Sequence, residues 1–255
     1  MHILITGASS GIGEALARHF GSDPMHRITL VARRLENLEV LASELSAQAY
    51  PLRADLSKQD SAEKVVASAT QRFGDVDLLV NNAGANHLGE PAGFEVAVAE
   101  KLFALNVFSP MRLVEAVLPS MRRRQRGTIV NIASIAAANA PGMMTHYAAT
   151  KAALARYSEG LATQLEDEGI KVLTVYPGPV KTPMEDLVRD QLGGDLGIGD
   201  RLPSGKADEL ALKIEQAITR SRRRLVYPGF YASAFWLPLL GQRLTDEFSP
   251  RLRPS

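Results

Sequence analysis

His2-Ile3-Leu4-Ile5-Thr6-Gly7-Ala8-Ser9-Ser10-Gly11-Ile12-Gly13 opens the chain with an apolar run that breaks into a glycine-rich turn. The run reads as a strand, and apolar residues at helical spacing from Ile12 to Phe20 read as a helix. A helix amino terminus after a strand offers free N–H groups and a partial positive charge, which together suit a pyrophosphate. Gly7, Gly11 and Gly13 permit a tight turn and close backbone approach, with Ser9, Ser10 and Ile12 completing the cradle. The glycines fall at intervals of four and two, unlike G-x-G-x-x-G, and such a turn also serves simply to close a strand–helix loop.

The same alternation continues outward. Strands are expected at His2–Thr6, Ile28–Ala32, Ala49–Arg53, Leu78–Asn81, Thr128–Ile132, Lys171–Tyr176 and Leu225–Tyr227. The first six are mostly apolar throughout, as for strands covered on both faces. Helices are expected around Ile12–Phe20, Leu35–Leu45, Ser61–Phe73, Val96–Arg124, Tyr147–Glu168 and Lys206–Ser221. This order predicts an α/β, Rossmann-like, doubly wound parallel sheet of seven strands with helices on both faces. No linker divides it, so residues 1–227 are expected to form one dinucleotide-binding and catalytic domain. Pro177–Pro203, with five Gly and four Pro, reads as too irregular for a continuous element. Residues 177–205 therefore read as a substrate lid, or as a plain connection.

Composition narrows the chemistry. The 255 residues are 45% hydrophobic and 22% charged, with a net charge of +1 and no cysteine. Thiol nucleophiles, disulfides, iron–sulfur clusters and cysteinyl zinc are excluded. No global field recruits nucleic acid or an acidic membrane. The start, Met1–Thr6, has no charged n-region or long apolar h-region, so the expectation is a cytoplasmic protein. The apolar stretch Phe230–Leu240 contains Pro238 and falls short of the ~20 residues of a membrane span.

Two positions bear on cofactor choice. The second strand ends in Ala32-Arg33-Arg34. An acid here would accept hydrogen bonds from an adenosine ribose, whereas arginine accommodates a 2′-phosphate. Two guanidiniums and no acid favour NADP, with NADPH preferred over NADH. Both would also pass as solvated residues opening a helix, although cations are unfavourable at a helix amino terminus.

Tyr147 and Lys151 are four apart and share a helix face. A free phenol, with a pKa near ~10, is a poor proton donor and acceptor near neutrality. A nearby ammonium and an oxidised nicotinamide would stabilise the phenolate and lower that value. Tyr147 would then protonate a forming alkoxide or accept an alcohol proton. Ser134, after the fifth strand, would hydrogen-bond the substrate oxygen, although a serine there also caps a helix.

With these motifs in order, the sequence resembles the short-chain dehydrogenase/reductase family, in its common type of about 250 residues. Besides Thr6–Gly13, the motifs are Asp55-Leu56, Asn81-Asn82-Ala83-Gly84, Asn106, Ser134, Tyr147-x-x-x-Lys151 and Pro177-Gly178-Pro179-Val180-Lys181-Thr182. The resemblance covers Met1 to Ser221. It implies catalytic roles for Asn106, Ser134, Tyr147 and Lys151, with Lys151 also on the nicotinamide ribose and Asn106 supporting a water-linked proton relay. It places Asp55 and Asn81 near the adenosine half, Leu56 in the cofactor-binding set, and Thr182 near the carboxamide. Asn82, Ala83, Gly84, Pro177, Gly178 and Val180 join the cofactor-binding set. A homodimer or homotetramer is also implied.

Other groups carry less. The histidines, His2, His19, His26, His87 and His146, have no metal-ligand spacing, and no catalytic metal is expected. His146 either lines the pocket or merely opens a helix. Arg122, Arg123, Arg124 and Arg126, and Arg222 to Arg224, read as solvated helix ends. Residues 228–255, with Phe230, Phe235 and the sole Trp236, form an apolar extension. It would pack on its own domain, cover the pocket or an interface, or touch a membrane surface. The expected function is an NADP(H)-dependent oxidoreductase acting on a ketone, an aldehyde or a secondary alcohol. A non-catalytic dinucleotide-sensing module and a membrane-surface reductase of lipid-derived carbonyls are the alternatives.

Overall fold

The computed structural model describes residues 1–89, 95–191, 204–232 and 242–243. Seven parallel strands form one sheet: β1 (His2–Thr6), β2 (Arg27–Ala32), β3 (Gln48–Arg53), β4 (Leu78–Asn81), β5 (Gly127–Ile132), β6 (Ile170–Pro177) and β7 (Arg224–Tyr227). Their order is β3-β2-β1-β4-β5-β6-β7. Between them run α1 (Gly11–Gly21), α2 (Leu35–Glu44), α3 (Ser61–Phe73), α4 (Val96–Phe103), α5 (Ser109–Arg124), α6 (Thr145–Gln164), α7 (Pro183–Gln191) and α8 (Ala207–Thr219).

Alternation within each strand builds two cores. Ile3 and Ile5 of β1, Val80 of β4, Val130 of β5 and Val175 of β6 face Leu16 and Phe20 of α1, Leu38 of α2 and Ile214 of α8. Leu4, Leu79, Ile129 and Val172 turn the other way, onto Val65 of α3, Val117 and Met121 of α5, and Leu161 of α6. Each such side chain, fully buried, stabilises the fold by about 1.5–3 kcal/mol relative to exposure. The apolar strands are thus apolar because both faces are covered. β3 departs from that expectation: as the edge strand it pairs only with β2 and keeps its residues half-buried or exposed. Its edge position also tolerates Pro51.

Two further expectations change. α7 lies inside the segment read as irregular. Pro183 begins it, Glu185 and Asp186 occupy its first turn, and Met184, Leu187 and Val188 recur at helical spacing, although none of its residues is buried and the nine-residue helix is bracketed by Gly and Pro. Residues 192–203 of the expected lid, and nearly all of the extension beyond 232, lie outside the described residues. Val96–Arg124 is one helical run, long and apolar enough by length and composition to cross a bilayer. Here Leu113, Val117 and Met121 of that run pack in the second core. Four arginines of the basic clusters are ion-paired: Arg124 binds Asp77 at 2.5 Å, Arg122 binds Glu168 at 2.6 Å, and Arg223 and Arg224 pair with Glu166 and Glu159.

The sheet order reverses between β1 and β4, which opens a crevice at their carboxyl ends, the place where doubly wound sheets bind ligands.

Candidate active site

At that crevice the turn after β1 and the turn after β4 are stitched together. Thr6 Oγ1 donates to the Val80 carbonyl at 3.2 Å and accepts from the Asn82 and Ala83 N–H groups at 3.0 Å each. Asn82 Nδ2 donates to the carbonyls of Thr6 (3.0 Å) and Gly7 (3.2 Å). Gly7 and Gly11 adopt positive φ, +67° and +60°, which an L side chain resists. A Cβ on Gly13 would overlap the Gly7 carbonyl oxygen and lie 2.5 Å from Asn82 Nδ2. One on Gly11 would come within 3.1 Å of Thr182. The glycines therefore make a close-walled backbone cradle at the start of α1, and its shape and N–H donors fit a pyrophosphate.

Arg34 Nη2 donates to the hydroxyls of Ser9 and Ser10, at 3.1 Å each, and so lies over this cradle. Arg33 faces elsewhere, into a cleft of about 510 Å³ that Leu52, Ala54, Asp55 and Lys58 also line. Asp55 accepts from the Ser57 hydroxyl at 2.7 Å, which, with Lys58 and Arg33 nearby, holds its carboxyl below the usual range. Leu56 is buried in the second core. Asn81, expected near the adenosine half, is buried. Its amide lies inside the sheet, 2.9 Å from Asn131 Oδ1.

Around β5 and α6 the proton-handling residues meet. Ser134 follows β5 and does two things: its Oγ accepts from the Ala136 N–H at 3.1 Å, capping a short turn, and its hydroxyl sits near enough to the Tyr147 phenol to favour the phenolate. Tyr147 and Lys151 occupy the first two turns of α6, with Lys151 Nζ 5.8 Å from the Tyr147 ring centroid. Lys151 is 5% exposed and donates to the Ile132 carbonyl at 2.8 Å. Burial lowers its pKa to about 8. Burial pushes the Tyr147 phenol up, against the opposing pull of the Ser134 hydroxyl. The pocket by itself thus disfavours both charges, and the lowering of the phenol expected from the ammonium together with an oxidised nicotinamide belongs to the cofactor-bound site.

Asn106 sits in a π turn, Ala104–Phe108, within the long helical run. Pro110 has no N–H for the Asn106 carbonyl, its i−4 partner, and the wider turn absorbs that gap. The Asn106 side chain is fully buried and saturated. It accepts from the Ala85 N–H (2.9 Å) and donates to the Ala85 carbonyl (2.9 Å) and Thr150 Oγ1 (3.0 Å). The side chain is thus a clamp between the β4 turn and α6. Gly84 lies between: a Cβ there would come within 3.2 Å of Asn106 Oδ1 and 3.5 Å of Lys151 Nζ.

The turn after β6 completes the crevice. Val180 is buried, Thr182 abuts Gly11, and Gly178, next to Pro177, is overlaid by the Tyr231 ring. Gln242 clasps the other rim, its amide pairing with the Ala140 backbone N–H and carbonyl at 3.1 and 3.3 Å. His146 is the second residue of α6 and partly exposed. His87 lies in the β4 loop, which Gly89 joins to the Met143 carbonyl. Thr6 opens the Thr6–Gly13 motif but carried no assigned role, and Thr150 and the Ile132 carbonyl were missed from sequence. Neither Thr150 nor the Ile132 carbonyl left a signal in the sequence. Among the described residues no His/Asp/Glu group could hold a metal ion.

Comparison with known proteins gives the family. The family model of short chain dehydrogenases matches residues 1–193. A short chain dehydrogenase of Pseudocercospora fijiensis is 36% identical over 188 residues, 71% of this chain and 60% of its own length. The chain thus spans less than two thirds of that relative. A short-chain dehydrogenase structure from Streptomyces avermitilis superposes with a TM-score of 0.82 at 32% identity, covering 96% of this chain and 95% of its own. One from Sphingobium yanoikuyae, solved in complex with NADPH, gives 0.79 at 30% identity, covering 100% and 98%. The chain belongs to the short-chain dehydrogenase/reductase family.

Proposed function

We propose that this protein is an NADP(H)-dependent oxidoreductase that interconverts a ketone or aldehyde and the corresponding alcohol, with Tyr147 as acid and base. The observation that carries the reading is the grouping of Tyr147, Ser134 and Lys151, with Lys151 Nζ 5.8 Å from the Tyr147 ring and next to Gly84 of the turn that closes the glycine cradle. NADPH, when bound, supplies the hydride. The residues of the Gly7–Gly13 turn, with Asn82, Ala83, Gly84 and Thr182, would hold it.

Ser134 holds the substrate oxygen and Tyr147 gives it a proton as negative charge develops, so both act where the transition state differs most from the ground state. Burial keeps the phenol protonated and ready to donate. Lys151, held on the Ile132 carbonyl, adds positive potential that offsets loss of that proton. Arg33 and Arg34, with no acid at the end of β2, support recognition of a 2′-phosphate, and the NADPH complex of the Sphingobium relative supports the same choice. A sensing module without catalysis would not need Ser134, Tyr147 and Lys151 assembled in one pocket.

The test is fluorescence titration with NADPH and NADH, followed by turnover on a panel of aldehydes and ketones, with Tyr147→Phe as control. NADPH should bind more tightly, and the variant should lose at least about a hundredfold in kcat. Tighter NADH binding would overturn the cofactor assignment, and full activity of Tyr147→Phe would overturn the proton donor.

A further inference from the structure

A row of polar side chains crosses the apolar sheet where burial would suit Val, Ile or Leu. Asn81 of β4 pairs in register with Asn131 of β5, and Asn131 with Thr174 of β6. Asn131, Thr174 and Ser158 of α6 are fully buried, and Asn81 is 2% exposed. Asn81 Nδ2 donates to Asn131 Oδ1 at 2.9 Å, Asn131 Nδ2 to Ser158 Oγ at 2.9 Å, and the Thr174 hydroxyl to Ser158 Oγ at 2.7 Å. Apolar residues of similar volume would serve stability as well, because a buried polar group costs free energy unless it is fully paired.

Position is what this row can supply. Ser158 lies seven residues, about two helical turns, beyond Lys151 on α6. Asn131 immediately precedes Ile132, whose carbonyl holds Lys151 Nζ. Adjacent residues of β5 thus bind α6 at two points along its axis. At its far end the row reaches Asn81, next to Asn82, which closes the cofactor turn on Thr6 and Gly7. Apart from Leu154 and Leu161, the apolar part of the buried face of α6 is Ala148, Ala155 and Ala162, whose short side chains form shallow ridges. Such a face resists separation from the sheet better than sliding or rotation, whereas hydrogen bonds are directional.

We propose that Ser158 is a positioning residue. Bonded to Asn131 and Thr174, it fixes the register of α6 on the sheet, and thereby where Tyr147 and Lys151 stand relative to Ser134 and the cofactor turn. It touches no reactant. The proposal rests on the oxidoreductase reading for its kinetic consequence, but not for its effect on the Tyr147 phenol, since misplacement of about 1 Å alters both proton transfer and the contacts that set a pKa.

The experiment compares Ser158→Ala, Thr174→Val and Thr174→Ser. Three measurements are made on each: the thermal midpoint, the kcat and KM for NADPH-dependent reduction of 4-nitrobenzaldehyde, and the ultraviolet titration of Tyr147. The titration is read as the difference between each variant and the same variant carrying Tyr147→Phe. Ser158→Ala should lower kcat about tenfold with KM for NADPH changed by less than about twofold, and should move the Tyr147 titration. Thr174→Val should do the same more weakly, and Thr174→Ser, which keeps the hydroxyl, should restore wild-type behaviour. A lower thermal midpoint with unchanged kcat and an unchanged titration in Ser158→Ala overturns the proposal. If Ser158→Ala does not fold, Thr174→Val against Thr174→Ser decides by the same readouts. If the wild type does not reduce the aldehyde, that substrate assignment fails, and the Tyr147 titration alone decides for or against the positioning role.

Discussion

Lys151 Nζ stands 5.8 Å from the centre of the Tyr147 ring and is held there by the Ile132 carbonyl of β5, 2.8 Å away. The ammonium is therefore placed by the sheet, and it is placed where burial works against its charge. That cost has a pH signature. An exposed lysine titrates near 10.5 and the folded Lys151 at about 8, so between these values the unfolded chain binds the extra proton and stability rises with pH. Below pH 8 the folded protein carries the whole cost, roughly 3 kcal/mol at about 1.4 kcal/mol per pH unit. Lys151→Met should be more stable than wild type at pH 7, less the lost bond to Ile132. Its advantage should shrink by roughly that amount at pH 10. Urea unfolding of both proteins without cofactor, at the two pH values, measures this. A constant difference would show that the lysine is not held with a lowered pKa.

Gly13 tests the cradle. Its missing Cβ leaves room for the Gly7 carbonyl and for Asn82 Nδ2, and both are fixed by the Thr6–Asn82–Ala83 hydrogen bonds. Gly13→Ala must push the β1 turn away from the β4 turn, at a cost of about 1–3 kcal/mol for overpacking. NADPH affinity should fall more than tenfold while far-ultraviolet circular dichroism stays that of the wild type. Wild-type affinity in the variant would mean that the two turns move independently.

How much of this was readable beforehand depends on whether a residue's partner lies nearby in sequence. The glycines at 7, 11 and 13 answer to a local backbone requirement, and Tyr147 and Lys151 to helical spacing, so both were legible. The six longer helices announce themselves by a buried stripe; α7 buries none of its residues and was lost among neighbouring Gly and Pro. Asn81 was assigned toward the cofactor, yet its partner, Asn131, lies 50 residues away, across a strand pairing that one sequence does not reveal. Asn106 was named only through the family resemblance. Its actual bonds, to the Ala85 backbone and Thr150, are products of tertiary packing.

The two arginines after β2 should separate in function. Arg34 lies on the Ser9 and Ser10 hydroxyls, whereas Arg33 lines the cleft with Asp55 and Lys58. A charge-assisted bond to a 2′-phosphate contributes about 1.5–3 kcal/mol, or roughly ten- to a hundredfold in affinity. Arg33→Ala and Arg34→Ala should each weaken NADPH by that factor, and the loss should be smaller at high salt. NADH should be nearly unaffected by Arg33→Ala. Arg34→Ala should weaken it slightly, because the loop hydroxyls lose their partner. Equal loss of both cofactors in Arg33→Ala would assign that side chain to the adenosine rather than to a phosphate.

Asn106 offers the sharpest contrast, because two replacements act through different physics. Asn106→Ala leaves the Ala85 N–H and carbonyl without their side-chain partners in a buried place, at a cost of about 1–3 kcal/mol for each group left unsatisfied. Asn106→Asp still accepts from the Ala85 N–H but donates nothing to the Ala85 carbonyl or to Thr150. It also introduces an anion across Gly84 from Lys151. An opposite charge favours the ammonium, so the Lys151 pKa, about 8 in the wild type, should rise. If the alkaline limb of the kcat profile reports loss of that proton, the limb should move to higher pH in Asn106→Asp, but not in Asn106→Ala. Both variants should lose stability in urea. A limb that shifts equally in both, or in neither, would mean that another group sets it and that Asn106 matters only as the clamp on Ala85.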